Sequence, residues 1–179
     1  IRGLEIFKSD LSMDGILAPA SNGYKLKFKN KSFNLLGETW DINRDNILYF
    51  EPNRVSASFC SLLNGEKKIL LNNLENNGLE FAILGYDISN LNELLDYDKI
   101  KFSGNLQIYA KVLDVYKMKN FGLVVYSDSL NLNKDYWGKF KMNCSAENFK
   151  DLVYLDYELD NDSTNMYGKG YLDISKQED

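Results

Sequence analysis

Histidine is absent from the 179 residues, and proline occurs only twice, at Pro19 and Pro52. Lacking histidine removes the commonest general base and the commonest metal ligand. Carboxylates are plentiful enough for a glycosidase-type pair, but no motif singles out two of them. The expectation is a protein that is not an enzyme, with no catalytic residues, no metal and no cofactor. No apolar run reaches the ~18 residues that would span a membrane as a helix. No Gly/Ser-rich or Pro-rich linker interrupts the chain. Basic charge is also in deficit. With Lys+Arg 21 against Asp+Glu 26, the net charge is −5. Nucleic acid is excluded as a partner on that balance, because phosphate binding needs a clustered positive footprint. Neutral and zwitterionic lipid are not excluded.

What is present is aromatic and apolar residues in alternation. Tyrosine (12) and phenylalanine (10) are abundant, and both suit pleated surfaces. Tyr24, Leu26 and Phe28 alternate with Lys25 and Lys27. Val55, Ala57 and Phe59 alternate with Ser56 and Ser58. Leu79, Phe81 and Ile83 follow the Asn-rich turn Asn72–Gly78. The longest run is Phe102, Gly104, Leu106, Ile108, Ala110 and Val112, backed by Ser103, Asn105, Gln107, Tyr109 and Lys111. Tyr136, Gly138, Phe140, Met142 and Cys144 alternate with Trp137, Lys139, Lys141 and Asn143. Val153, Leu155, Tyr157 and Leu159 face away from Asp156, Glu158 and Asp160. A period of two over many strands predicts antiparallel sheet with one apolar and one polar face.

One stretch reads as a short helix near 89–96, with Ser89 as N-cap and Leu91, Leu94 and Leu95 on one side. It is too short to cover the sheet. The apolar face must be hidden in a sandwich, in a closed barrel, or in an open trough available to ligand. Periodicity alone does not choose. At this length the chain is a single domain with room for a real core. Ile1-Arg2-Gly3-Leu4-Glu5-Ile6 already alternates like a strand, so residues 1–179 are expected to be one β segment of a longer protein.

Several segments together resemble the C-terminal region of the TamB family, a translocation and assembly module within the AsmA-like proteins, in its Bacteroidetes form. The first is Phe33-Asn34-Leu35-Leu36-Gly37-Glu38-Thr39-Trp40-Asp41-Ile42 running into Asn43-Arg44-Asp45-Asn46-Ile47-Leu48-Tyr49-Phe50. Next come Asp87-Ile88-Ser89-Asn90-Leu91 with Leu94-Leu95, then Lys101-Phe102-Ser103-Gly104-Asn105-Leu106. The last is Gly168-Lys169-Gly170-Tyr171-Leu172-Asp173-Ile174. The resemblance spans 33–174. It implies an all-β fold, a long antiparallel-rich sheet curled into an open hydrophobic trough (a β-taco). It implies the periplasm of a double-membrane bacterium, with the parent protein anchored in the inner membrane and reaching the outer one. It also implies phospholipid transport along the groove and assembly of outer-membrane β-barrel proteins. The implied partners are phospholipid acyl chains, an Omp85-type (TamA-like) barrel and unfolded outer-membrane strands.

On this reading the groove is lined by Leu106, Ile108, Ala110, Val112, Phe140, Met142, Leu155 and Tyr157. The plainer reading of the same residues is a sealed sandwich core. Trp40 and Trp137 offer the alternative of a sugar-stacking platform in a carbohydrate-binding or adhesin-like sandwich. Asp156, Glu158, Asp160 and Asp162 lack the central glycine of a calcium loop and read as a solvated face that deters edge pairing. Cys60 lies opposite Val55, Ala57 and Phe59, whereas Cys144 shares a face with Phe140 and Met142. If both apolar sets point inward, the thiols lie on opposite sides of the sheet and stay free.

Overall fold

The computed structural model describes residues 14–29, 31–35, 38–92, 100–117, 119–148 and 152–174. Over the described residues the fold is all-β, with fifteen strands in two antiparallel sheets that do not close into a barrel. The small sheet has the order β1-β2-β5-β6, from Gly15–Ala20, Gly23–Phe28, Ile47–Glu51 and Arg54–Ser58. The large sheet has eleven strands. Its order is β15-β14-β13-β12-β11-β9-β8-β7-β4-β3, with the short β10 (Phe102–Ser103) beside β12. Its strands are β3 (Ser32–Leu35), β4 (Glu38–Ile42), β7 (Cys60–Asn64), β8 (Lys67–Asn73), β9 (Leu79–Asp87) and β11 (Asn105–Asp114). A long meander completes it: β12 (Lys119–Leu132), β13 (Asp135–Asn148), β14 (Leu152–Asp160) and β15 (Asn165–Asp173).

The two sheets are linked by three crossings of the chain. The chain crosses from one to the other between β2 and β3, between β4 and β5, and between β6 and β7. In the small sheet β5 pairs with β2 and β6; in the large sheet β4 pairs with β3 and β7. The three crossings therefore lie side by side along a crease.

At a crease ladder bonds are lost, and the exposed backbone groups need other partners. Asn46, 1 % exposed, supplies them. Its Oδ1 accepts from the Phe28 N–H at 2.9 Å, and its Nδ2 donates to the carbonyls of Asn43 at 2.6 Å and Phe28 at 3.4 Å. The turn before it is held by Asn43, whose Oδ1 accepts from the Asp45 N–H at 3.0 Å, a turn mode typical of asparagine. The same device recurs twice. Asn73 on β8 accepts from the Ala57 N–H and donates to the Ala57 carbonyl, both at 2.8 Å, tying β6 over the large sheet. Asn92 grips both backbone groups of Phe102 at 2.8 and 2.7 Å. A side-chain amide has the donor and acceptor of a backbone amide, so each of these asparagines stands in for a neighbouring strand.

The third crossing is at Phe59, whose φ of 53° is left-handed and breaks the alternation. Phe59 is left 68 % exposed, and Cys60 takes the inward position instead. This corrects the expected parity. The ladder Cys60–Leu71–Phe81–Ala110–Leu123–Cys144 puts both cysteines on the same face. Both are free, because five strand spacings, about 24 Å, separate them.

Three further expectations are revised. The helix near 89–96 is, over its described part, a single 3-10 turn, Ile88–Leu91. It is capped by Asp87, which accepts from the Ser89 N–H at 2.9 Å, rather than by Ser89. Leu94 and Leu95 lie outside the described residues, as does the alternation of 1–6. The run from Phe102 to Val112 is two strands, broken at Gly104 with φ +133°. The acidic strand β14 is not an edge. It lies between β13 and β15, where Lys139 stands opposite Asp160 and Lys141 opposite Glu158. Alternating charges across a ladder stabilise it modestly.

Candidate functional site

The ladder registers define one continuous face across the large sheet. From β9 outward its rows are Ile83–Ile108–Val125–Met142–Tyr157–Gly168 and Phe81–Ala110–Leu123–Cys144–Leu155–Gly170. A third row ends in Ser127–Phe140–Leu159–Met166 and starts from Tyr86–Leu106. Toward β4 the same face continues through Ile69, Leu62 and Ile42. All eight residues expected to line a groove, Leu106, Ile108, Ala110, Val112, Phe140, Met142, Leu155 and Tyr157, fall on it. Sequence alternation missed Phe121, Leu123 and Val125 on β12, which carry the rows between β11 and β13. Their neighbour Val124 is also apolar, and Gly122 has no side chain, so that strand shows no contrast between its two faces.

The face is unevenly covered. Over β4, β7, β8 and β9 the small sheet lies across it. Phe28 and Leu48 of the small sheet and Ile42, Leu62, Ile69, Leu71 and Phe81 of the large one line a common cavity of ≈ 170 Å³. Its polar contributors are few, and one of them, Asn46, has its amide engaged at the crease. Cys60 also lines it, and burial pushes its thiol above the usual range. Ile42 and Ile69 are buried there, and Trp40 is fully buried, its indole N–H donating to the Leu35 carbonyl at 3.2 Å. On β12 and β13 the face still buries Ser127 and Ala146, and it opens along β14 and β15. Leu155, Tyr157, Met166 and Leu172 are exposed at 38 to 63 %.

A second cleft of ≈ 200 Å³ lies in that uncovered part. It is lined entirely by apolar and aromatic side chains, among them Phe102, Trp137, Phe140, Tyr157 and Met166. Trp137 thus sits with Phe140, not on the opposite side as strict alternation requires. Gly138, at φ +102°, and the register shifts between Ser127 and Asn131 reset the parity. With Trp40 buried and Trp137 in this cleft, the two tryptophans cannot form a common sugar platform.

One end of the covered region is polar. Glu38 is bonded to Lys67, accepts from Asn64 at 3.1 Å and accepts from Asn90 at 2.6 Å. The Lys67 ammonium lies 6.0 Å from the Tyr86 ring centroid, within cation–π range. Burial, and then the Glu38 charge, raise the Tyr86 phenol above its ordinary pKa. Among the described residues no group of three or more His, Cys, Asp or Glu is placed to hold a metal, and no helix is long and apolar enough to cross a membrane. The arrangement offers a long apolar surface, part roofed and part open.

No protein-family model matches the chain, no curated protein matches it in sequence, and no solved structure matches it in fold.

Proposed function

We propose that the chain is a groove-forming segment that carries lipid acyl chains along the apolar face of its large sheet. The observation that supports this is the uneven cover. A sealed core would bury the whole face, yet the rows from Ile108 to Gly168 run out from under the small sheet into solvent. Exposed apolar patches of such extent mark interaction surfaces. From β4 to β15 the face crosses eight strand spacings, about 38 Å at ~4.8 Å each. That exceeds the ~30 Å hydrocarbon thickness of a bilayer. Partial burial suits a carrier: about six methylenes under cover contribute roughly 5 kcal/mol at ~0.8 each, enough to hold and not to trap.

On this reading, and in line with the segment resemblance, the parent protein works in the periplasm between two membranes. Phospholipid is its cargo and an Omp85-type outer-membrane barrel its partner. The test is site-specific photocrosslinking in cells. A probe replaces Leu155, exposed on the apolar face, or Tyr154, exposed on the opposite face. Phospholipid adducts at 155 and not at 154 are the expected result. Protein adducts alone at 155, from unfolded outer-membrane strands, would replace lipid carriage with the assembly role. Equal or no adducts at the two positions in a folded, abundant protein would sink the proposal.

A further inference from the structure

The cavity beneath the small sheet is larger than protein interiors ordinarily leave. Close-packed cores hold few voids bigger than a water molecule, and this one measures ≈ 170 Å³. An apolar cavity of about 150 Å³, lined by leucine, isoleucine and phenylalanine, stays dry and takes up benzene or xenon. The lining here has the same character, with Phe28 and Leu48 on one side and Ile42, Leu62, Ile69 and Phe81 on the other. Water settles in such a space only where polar partners await it, and the polar groups around this one are engaged elsewhere. Asn46 commits its amide to Phe28 and Asn43. The Cys60 thiol donates to the Ile47 carbonyl at 3.4 Å and lies 3.5 Å from the Ser58 carbonyl. Ser61 borders the cavity with its backbone, whose N–H donates to the Phe59 carbonyl and whose carbonyl accepts from the Asn43 N–H, both at 3.1 Å. Its side chain alternates to the face opposite Cys60 and Leu62.

We infer that this cavity is a binding site for one compact, uncharged, apolar molecule, a single aromatic ring or a short branched hydrocarbon of about six carbons. A charged or hydroxylated molecule would shed its water and find no free partner in return. An empty void costs stability in proportion to its volume. A ligand of this class removes that cost by restoring the dispersion contacts the lining lacks. Occupancy also has a structural consequence. The lining comes from both sheets, so a bound molecule touches roof and floor at once and is held only while the two are packed together. Such a ligand stabilises the crease by mass action. Binding here stands apart from the acyl-chain reading: the rows offered to a chain run out from under the roof, whereas the cavity lies beneath it.

Benzene is the probe, and the two cysteines report on it. Cys60 lines the cavity, while Cys144 stands about 24 Å away across the ladder and serves as the internal control. Burial keeps the Cys60 thiol protonated, so it reacts slowly in the closed fold. With benzene at about ten times its Kd, alkylation of Cys60 is expected to slow about ten-fold, by the factor 1 + [L]/Kd, with Cys144 unchanged. The midpoint of thermal unfolding rises in parallel. Leu71→Phe fills the cavity and is expected to abolish both effects, leaving the benzene-free midpoint unchanged or higher. Should the larger ring not fit, Cys60→Met fills the same space with a flexible side chain and is read by thermal unfolding alone. Benzene near saturation that changes neither Cys60 alkylation nor the midpoint overturns the inference. So does an effect that persists undiminished in the filled variants, because the molecule then binds elsewhere. Decanoate protecting Cys60 better than benzene at equal concentration overturns the compact class and assigns the cavity to the chain that the open face carries.

Discussion

Asn46→Ala tests the idea that a single amide closes the crease between the two sheets. The side chain is almost fully buried and makes two short bonds, to the Phe28 N–H and the Asn43 carbonyl, and one long one to the Phe28 carbonyl. Truncation leaves buried backbone groups unmade, at about 1–3 kcal/mol each. The two short bonds set an expected loss of about 2–6 kcal/mol, and the 3.4 Å contact adds little. Asn46→Asp separates hydrogen bonding from volume. The introduced carboxylate keeps the acceptor toward Phe28 but loses the donor toward Asn43, and it buries a charge. Its pKa in the fold is therefore raised above the unfolded value of about 3.9. The unfolded chain ionises more readily than the folded one, so the deficit relative to wild type is large at neutral pH. It shrinks as pH falls through the folded pKa, where the protonated acid can again donate. Urea unfolding at pH 7 and pH 4, followed by circular dichroism and intrinsic fluorescence, measures both. The reasoning fails if Asn46→Ala unfolds within about 1 kcal/mol of wild type, the low end of one such group. It fails equally if the Asn46→Asp deficit is the same at the two pH values.

Gly138→Ala places a methyl group against the Asp160 carbonyl at a left-handed position. It should cost at least ~1–3 kcal/mol and lose amide protection where Lys139 meets Asp160. Gly170→Ala, with nothing near it, serves as the control; equal losses would refute the clash. Phe59→Asn keeps the bend and supplies a residue tolerant of positive φ. Stability should be unchanged or rise by up to ~1 kcal/mol, and a clear loss in thermal unfolding would mean that the exposed ring packs on something. Tyr86 holds its proton in the fold beyond the ~10 at which the unfolded chain ionises. Stability attributable to it is therefore intact below about pH 10 and declines as pH rises further. Tyr86→Phe should remove a late phase of phenolate absorbance and flatten that decline; an unchanged titration curve would count against the burial argument.

The all-β class and the residues of β11, β13 and β14 that share one face were legible because strict alternation needs only a period of two. So were the free thiols, although for a different reason from the one parity suggested. What could not be read was every place where parity resets. Phe59 at positive φ, Gly138 and the shifts near Ser127 each move later residues to the other face, and Gly104 splits one expected strand in two. Nothing in residue type announces Phe59, since a phenylalanine in a left-handed bend is set by the pairing of the strands on either side. The cavity under the small sheet was likewise illegible, because it joins Phe28 and Leu48 to Leu71 and Phe81 across a crease made by long-range pairing. The asparagine clusters were visible as turns. That Asn46, Asn73 and Asn92 imitate strands depends on geometry alone.

Because the chain crosses three times between the two walls, loosening one wall pulls directly on the other. Melting the small sheet frees Phe28, Ile47 and Ser58, and the slack passes directly into β3, β4 and β7. The roof over the cavity is therefore not a flap on a hinge. Any opening wide enough to admit a guest from above must spread from the far rims, where β1 and β15 end the sheets, while the crease keeps its spacing like the spine of a book.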